Sequence, residues 1–145
     1  MKMFKLAFVS LFMVCFATVA VAQDAKPYKD GTVTNLQYLR TKPGKYDEYM
    51  RYLAGDYKKL MDAQVKAGNI VRWSVYNTQT RSPQEANIIL TTTFANMAAL
   101  DKNDERDAVT TKVIGNEESR NKASIARETM REVIGSQLIR EVTFK

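Results

Sequence analysis

Residues 86–100 read ANIILTTTFANMAAL, and this stretch carries the clearest signal for the fold. Its first part, residues 87–94, is a run of β-branched and aromatic residues that is typical of a central strand. A helix is predicted directly afterwards, because the Asn96 side chain can cap a helix that begins at Met97. The stretch therefore indicates a strand that passes directly into a helix within an α+β domain.

The segments upstream predict a strand, a helix and a second strand. Residues 33–41 (VTNLQYLRT) have the composition of a strand. From residue 45 to residue 67 apolar side chains recur at spacings of three and four, which predicts an amphipathic helix. Residues 70–78 (IVRWSVYNT) alternate as in a half-buried strand. Because only residues 79–86 separate this strand from the next, the two are predicted to form an antiparallel hairpin.

The segments downstream predict a polar helical region and a last strand. The helix from Met97 extends to residue 114, Asn116 can cap a further helix, and Gly135 is predicted to end that helix. Residues 137–144 (QLIREVTF) return to strand composition. This order is the split βαβ arrangement of ferredoxin-like domains. The predicted fold class is α+β, a four-stranded antiparallel sheet with helices on one face and the first and third strands at its centre.

Three stretches carry a resemblance to the dimeric α/β barrel superfamily, in which two such sheets close face to face. They are KPGKYDEYMRYL at residues 42–53, GNIVRWSVY at 68–76, and ANIILTTTFANMAAL at 86–100. The resemblance covers residues 31–145 and is closest to exported bacterial members with no assigned activity. It implies a homodimer around a shared cavity, because the sheet face without helices would otherwise expose apolar surface.

The first residues are typical of a secretory signal. A basic start precedes an uncharged apolar run over residues 6–21, and Ala20 and Ala22 form a small-x-small cleavage site before Gln23. The run is shorter than the roughly 20 residues that span a bilayer, so we expect cleavage after Ala22 and no stable membrane anchor. Residues 23–30 are predicted to be a flexible leader. The mature domain, residues 31–145, is expected to be periplasmic or secreted.

Composition excludes several classes of function. The chain has no histidine, and its one cysteine, Cys15, lies within the predicted signal. The common zinc, copper and haem ligand sets are therefore missing from the mature domain, as are serine–histidine and cysteine–histidine nucleophile pairs. We expect no cofactor and no metal. The net charge of +6 is spread along the chain, so nucleic acid is not an expected partner.

A polar set is predicted to share one face of the sheet and to bind a ligand: Asn35, Gln37, Arg72, Tyr76, Thr91 and Thr93. Such groups suit a small apolar or aromatic molecule, and in an enzyme they could stabilise negative charge and pass a proton. The simpler interpretation is that they are ordinary hydrogen-bonded positions at a wet dimer interface. Two functions remain open: a small-molecule-binding protein, with a stress role as one interpretation, and a cofactor-independent monooxygenase or isomerase of small aromatic or polyketide-like compounds.

Two further sets of side chains lie on predicted helices. Tyr46, Tyr49, Tyr52 and Tyr57 belong to the first predicted helix, and such an aromatic stripe is most simply interpreted as core. Arg120, Arg127 and Arg131 lie seven and four residues apart in the last predicted helix. They could bind an acidic partner or lipid headgroups, but their alternation with Glu117, Glu128 and Glu132 favours a solvated face of ion pairs.

Overall fold

The structure, a computed structural model, describes residues 26–145. The predicted signal peptide and its cleavage site between Ala22 and Gln23 lie outside these residues. The elements, in chain order, are β1 (Tyr28–Thr41), α1 (Tyr46–Tyr52), a π-helical turn (Leu53–Tyr57), α2 (Lys58–Lys66), β2 (Arg72–Asn77), β3 (Ile88–Phe94), a 3-10 turn (Met97–Asp101), α3 (Asn103–Ile114), α4 (Glu117–Met130) and β4 (Arg131–Phe144).

The four strands form one antiparallel sheet in the order β2-β3-β1-β4. β2 and β3 form the predicted hairpin, and β1 and β3 are the central strands. The helices pack on one face of this sheet, which confirms the predicted fold class. We call the opposite face the open face. None of the helices within residues 26–145 has the length and apolar character needed to cross a membrane.

The core lies between the sheet and the helices. Leu39, Ile88 and Leu90 extend from the helix-covered face of the sheet and pack against Tyr49 and Leu53 of the first helical segment. All five are buried. Burial of each large apolar side chain is worth about 1.5–3 kcal/mol relative to its exposure. This contact fixes the tyrosine-bearing helix over β1 and β3, which positions the site described below.

The prediction that Gly135 ends the last helix is wrong. α4 ends at Met130, and β4 begins at Arg131, which pairs with Thr41 of β1. Val133 is β-branched and pairs with Leu39, and the pairing of this segment with β1 outweighs the narrow apolar helical face that Val133 and the residue after it would have supplied. Gly135 lies within the strand, beside a register shift.

β1 also begins earlier than predicted. It starts at Tyr28 rather than at residue 33, and Tyr28 is paired with Phe144 at the far end of β4. The end of the segment predicted as a flexible leader is therefore part of the sheet. The Asn116 cap is confirmed, because its side chain accepts a hydrogen bond from the Ser119 amide. The Asn96 side chain accepts one from the Ala99 amide, but it caps the 3-10 turn, and the helix predicted from Met97 begins only at Asn103.

Candidate functional site

The pairing register divides the predicted polar set between the two faces of the sheet. Four members lie on the open face: Arg72, Tyr76, Thr91 and Thr93. Asn35 and Gln37 lie on the helix-covered face, because directly paired residues share a face and these two are paired with Thr92 and Leu90. The prediction that all six side chains share one face is therefore wrong.

The incorrect placement of Asn35 and Gln37 arose in β1, because Leu36 and Leu39 suggest opposite assignments of its side chains to the two faces of the sheet. Leu39 is fully buried beneath the helices, whereas Leu36 is paired with Thr91 and lies on the open face. Because successive residues of a strand point to opposite faces, Leu36 and Leu39 cannot both belong to one apolar face. β1 therefore carries apolar side chains on both faces.

The threonines on the open face are satisfied within the sheet. Thr93 is 2% exposed and its hydroxyl lies 2.9 Å from that of Thr34, while Thr91 donates a long hydrogen bond of 3.4 Å to the Ser74 carbonyl. Tyr76 is half exposed. None of these side chains lines the cavity described next. Their role in ligand binding stays a prediction.

A cavity of about 280 Å³ lies between the helix-covered face of the sheet and the helices. We call it the sheet–helix cavity. Gln37 is the only member of the predicted polar set in its lining. Its lining residues are Gln37, Tyr49, Tyr52, Tyr57, Leu60, Leu90, Thr110, Ile114, Arg120, Arg127 and Arg131. A second cavity of about 250 Å³ adjoins it and shares Tyr52, Ile114 and Arg127.

Three tyrosines form one wall of the sheet–helix cavity. The rings of Tyr49 and Tyr52 are stacked with their centroids 5.8 Å apart, and the Tyr57 ring lies 6.5 Å from that of Tyr52. Tyr52 and Tyr57 are five residues apart and would diverge by about 140° on an α-helix of 3.6 residues per turn. The π-helical turn between them brings both rings to the cavity. Single π turns occur frequently at functional sites.

The aromatic wall continues to the only tryptophan of the chain. The Trp73 ring meets the Tyr57 ring edge to face, with centroids 5.6 Å apart. Its indole N–H donates a 3.1 Å hydrogen bond to Oδ1 of Asp62, which fixes the orientation of the ring. Trp73 therefore lies one ring away from the cavity and can report on its occupancy.

Two hydroxyls at this wall, those of Tyr49 and Tyr57, are hydrogen-bond donors at neutral pH. Burial raises the pKa of Tyr57 to about 12, against a hydrogen bond with Thr92 that lowers it. Burial also raises the pKa of Tyr49, although the charge of Arg131 opposes that change. Both side chains are therefore neutral phenols that can donate a hydrogen bond to a ligand.

The three arginines predicted to form a solvated, self-paired face line the cavity instead. Arg120 pairs across to Asp107 of α3, with Nη1 and Oδ1 3.5 Å apart. Arg127 donates a 3.4 Å hydrogen bond to the Tyr52 hydroxyl and lies over the same ring. Arg131 lies over the Tyr49 ring at 5.9 Å from its centroid. Within residues 26–145, these arginines therefore do not form the predicted ion pairs with glutamates of the same helix.

The surroundings of these groups can hold a flat ring beside a polar substituent. Leu60, Leu90 and Ile114 supply apolar surface, the tyrosines supply ring faces, and the guanidinium groups and Gln37 supply hydrogen-bond donors. Across residues 26–145, no group of three histidine, cysteine, aspartate or glutamate side chains is placed to hold a metal ion.

Comparisons with known proteins bear on the fold. No protein-family model and no curated protein matches the chain. A solved dimeric ferredoxin-like protein from an uncultured marine organism is 8% identical, with 79% of this chain and 96% of that chain covered and a TM-score of 0.51.

Two further solved structures are similar. The protein SO0527 from Shewanella oneidensis is 14% identical over 79% of this chain and 97% of that one, with a TM-score of 0.51. HapK from Hahella chejuensis is 16% identical over 75% and 91%, with a TM-score of 0.48. The chain therefore has the ferredoxin-like fold predicted from its sequence, and a dimeric protein of that fold is among its structural relatives.

Proposed function

We propose that the protein is exported, forms a homodimer through its open face, and binds a small aromatic molecule in the sheet–helix cavity of each subunit. The observation that carries the proposal is the wall formed by Tyr49, Tyr52 and Tyr57 on a cavity between the sheet and the helices. Aromatic rings prefer offset-stacked or edge-to-face partners, and such pairs are worth about 0.5–1.5 kcal/mol beyond the area they bury.

The open face supports the homodimer. Its apolar members, given by the pairing register, are Leu36, Tyr38, Tyr76, Ile89 and Ile139. Tyr76 is 50% exposed and Ile139 44% exposed in the single chain. If two subunits paired their open faces across a twofold axis, the apolar side chains of both subunits would be covered. A structural relative that is described as dimeric supports the dimeric state.

The binding test uses Trp73 as the reporter. Titration of the protein with a panel of phenols, quinols and bicyclic aromatics should change the Trp73 emission for the compounds that bind, and calorimetry should confirm the affinities. Ile114→Phe adds volume to the cavity lining and should weaken binding at least about tenfold. Ile125→Phe is the matched control, because Ile125 is 64% exposed. Equal losses in both variants, or none in either, would refute the cavity as the site.

Export rests on the N-terminal sequence. We propose cleavage between Ala22 and Gln23, which leaves a periplasmic or secreted protein with Gln23 as its first residue. Intact-mass analysis of the protein from its own cells should give the mass of residues 23–145. A mass that includes Met1 would refute cleavage.

One observation supports the alternative of a cofactor-independent monooxygenase or isomerase. The guanidinium groups of Arg127 and Arg131 could stabilise the charge of a bound phenolate or enolate, which is the reactive form of such substrates. The protonated tyrosines could donate a proton or a hydrogen bond. Oxygen uptake, or isomerisation, during incubation with the compounds that bind would favour the enzyme, whereas their unchanged recovery would favour the binding protein.

A further inference from the structure

The charge at the sheet–helix cavity bears on the class of ligand. Three guanidinium groups contribute to its lining, which contains neither aspartate nor glutamate. Asp107 partly neutralises Arg120. Across residues 26–145, no carboxylate lies within ion-pair distance of Arg127 or Arg131. Within the described part of the chain, Arg127 and Arg131 therefore contribute two guanidinium groups to this cavity that have no ion-pair partner.

Arg131 also has a donor that the described residues do not use. Its Nε is buried and has no hydrogen-bond partner among them. Buried polar groups in proteins are almost always hydrogen-bonded, so the guanidinium of Arg131 is not fully satisfied by the residues around it. A guanidinium presents its N–H groups as a planar fork that matches the two oxygens of a carboxylate. The contact with the Tyr49 ring fixes the position of this fork beside the cavity.

We infer that the ligand is an aromatic carboxylate whose carboxylate group is bound by Arg131 and Arg127 and whose ring packs against Tyr49 and Tyr52. The inference rests on the proposed function, because it names the ligand class of the same cavity. An ionised carboxylate has about four acceptor sites, so it can accept from both guanidinium groups and from a tyrosine hydroxyl.

The apolar part of the cavity lining favours an aromatic carboxylate over an inorganic anion. Leu60, Leu90 and Ile114 have no polar group to offer to phosphate or sulfate, whereas they give a ring an apolar surface. The stacked tyrosine rings favour a flat partner in the same way. An aromatic carboxylate uses the charged and the apolar parts of the cavity together.

The test compares naphthoate with its primary amide, which has nearly the same shape but no charge. Calorimetry at neutral pH and low salt should show that naphthoate binds the mature dimer at least about tenfold more tightly than naphthamide. In Arg131→Met this preference should disappear, with the amide affinity nearly unchanged. Arg81→Met is the matched control and should keep the preference, because the Arg81 side chain is 91% exposed in the β2–β3 loop.

Each outcome decides a different claim. Equal affinities for naphthoate and naphthamide would overturn the inference and leave the proposed function standing, whereas no binding of either compound would overturn the proposed function as well. Inorganic phosphate that binds as tightly as naphthoate would overturn the aromatic part of the inference. Circular dichroism checks that Arg131→Met is folded, and Arg127→Met tests the same preference through a second residue. A preference that survives both substitutions would overturn the assignment of these arginines.

Discussion

Thr91→Arg should separate the proposed dimer into monomers. Thr91 lies in the central strand β3, is 9% exposed, and is paired with Ser74 on one side and Leu36 on the other. An arginine at this position would extend from the open face into the interface. Because a twofold interface contains every substitution twice, two unpaired charges would be placed between the sheets.

The magnitude follows from the cost of a buried, unpaired charge. That cost is several kcal/mol per ion in real proteins. If each arginine costs about 3 kcal/mol after its long stem turns toward solvent, the dimer loses about 6 kcal/mol, which corresponds to about a 10⁴-fold higher dissociation constant. A dimer with a nanomolar dissociation constant would then be largely monomeric at low micromolar concentration.

Light scattering and analytical ultracentrifugation over a range of concentrations measure this change. The matched control is Thr111→Arg, which places the same charge at an exposed position of α3 and should leave the dimer intact. Circular dichroism checks that both variants are folded. A dissociation constant for Thr91→Arg within about threefold of the unsubstituted protein would show that the open face is not the interface.

Three further outcomes are expected. The free energy of unfolding should fall by up to about 1.4 kcal/mol per pH unit between pH 10 and 12, because Tyr57 ionises near its ordinary pKa of 10 when unfolded but near 12 when folded. The contribution of Tyr57 to stability is therefore complete below pH 10. Denaturant titrations of Tyr57→Phe should show a smaller fall over this pH range, and an identical fall would contradict the raised pKa. Gln64→Ala should lower the free energy of unfolding, measured by urea titration, by about 1–3 kcal/mol, because Gln64 is buried and its amide donates a 2.9 Å hydrogen bond to the Arg106 carbonyl. The control Gln84→Ala should change it little, because Gln84 is exposed. Arg131→Met should unfold no more easily than the unsubstituted protein when no ligand is added, because Arg131 has no ion-pair partner within residues 26–145. A clearly lower midpoint in thermal unfolding would indicate a structural role.

The fold was predictable because its strongest local signals agree with the tertiary structure. The β-branched run before Phe94 became the central strand β3, and the helix with apolar spacings of three and four packs on it. The boundary between α4 and β4 was not predictable in the same way. Val133 fits the apolar face of a helix and also pairs in a strand, and the choice depends on β1, which is distant in sequence.

The site was predictable only in part. The tyrosines and arginines were identified as sets on predicted helices, but their convergence on one cavity depends on how α4 packs against the first helical segment. One signal for the cavity was present in the sequence. Tyr52 and Tyr57 are five residues apart, which does not fit the three and four of an α-helix and is accommodated by the π turn.

Methyl chemical-shift mapping with naphthoate distinguishes the sheet–helix cavity from the open face, because leucine and isoleucine methyl groups occur on both faces of the sheet. We expect the largest shifts at Leu60, Leu90 and Ile114, which line the sheet–helix cavity, and small shifts at Ile89 and Ile139 on the open face. Large shifts confined to Ile89 and Ile139 would place the ligand between the two sheets of the dimer and refute binding in the sheet–helix cavity.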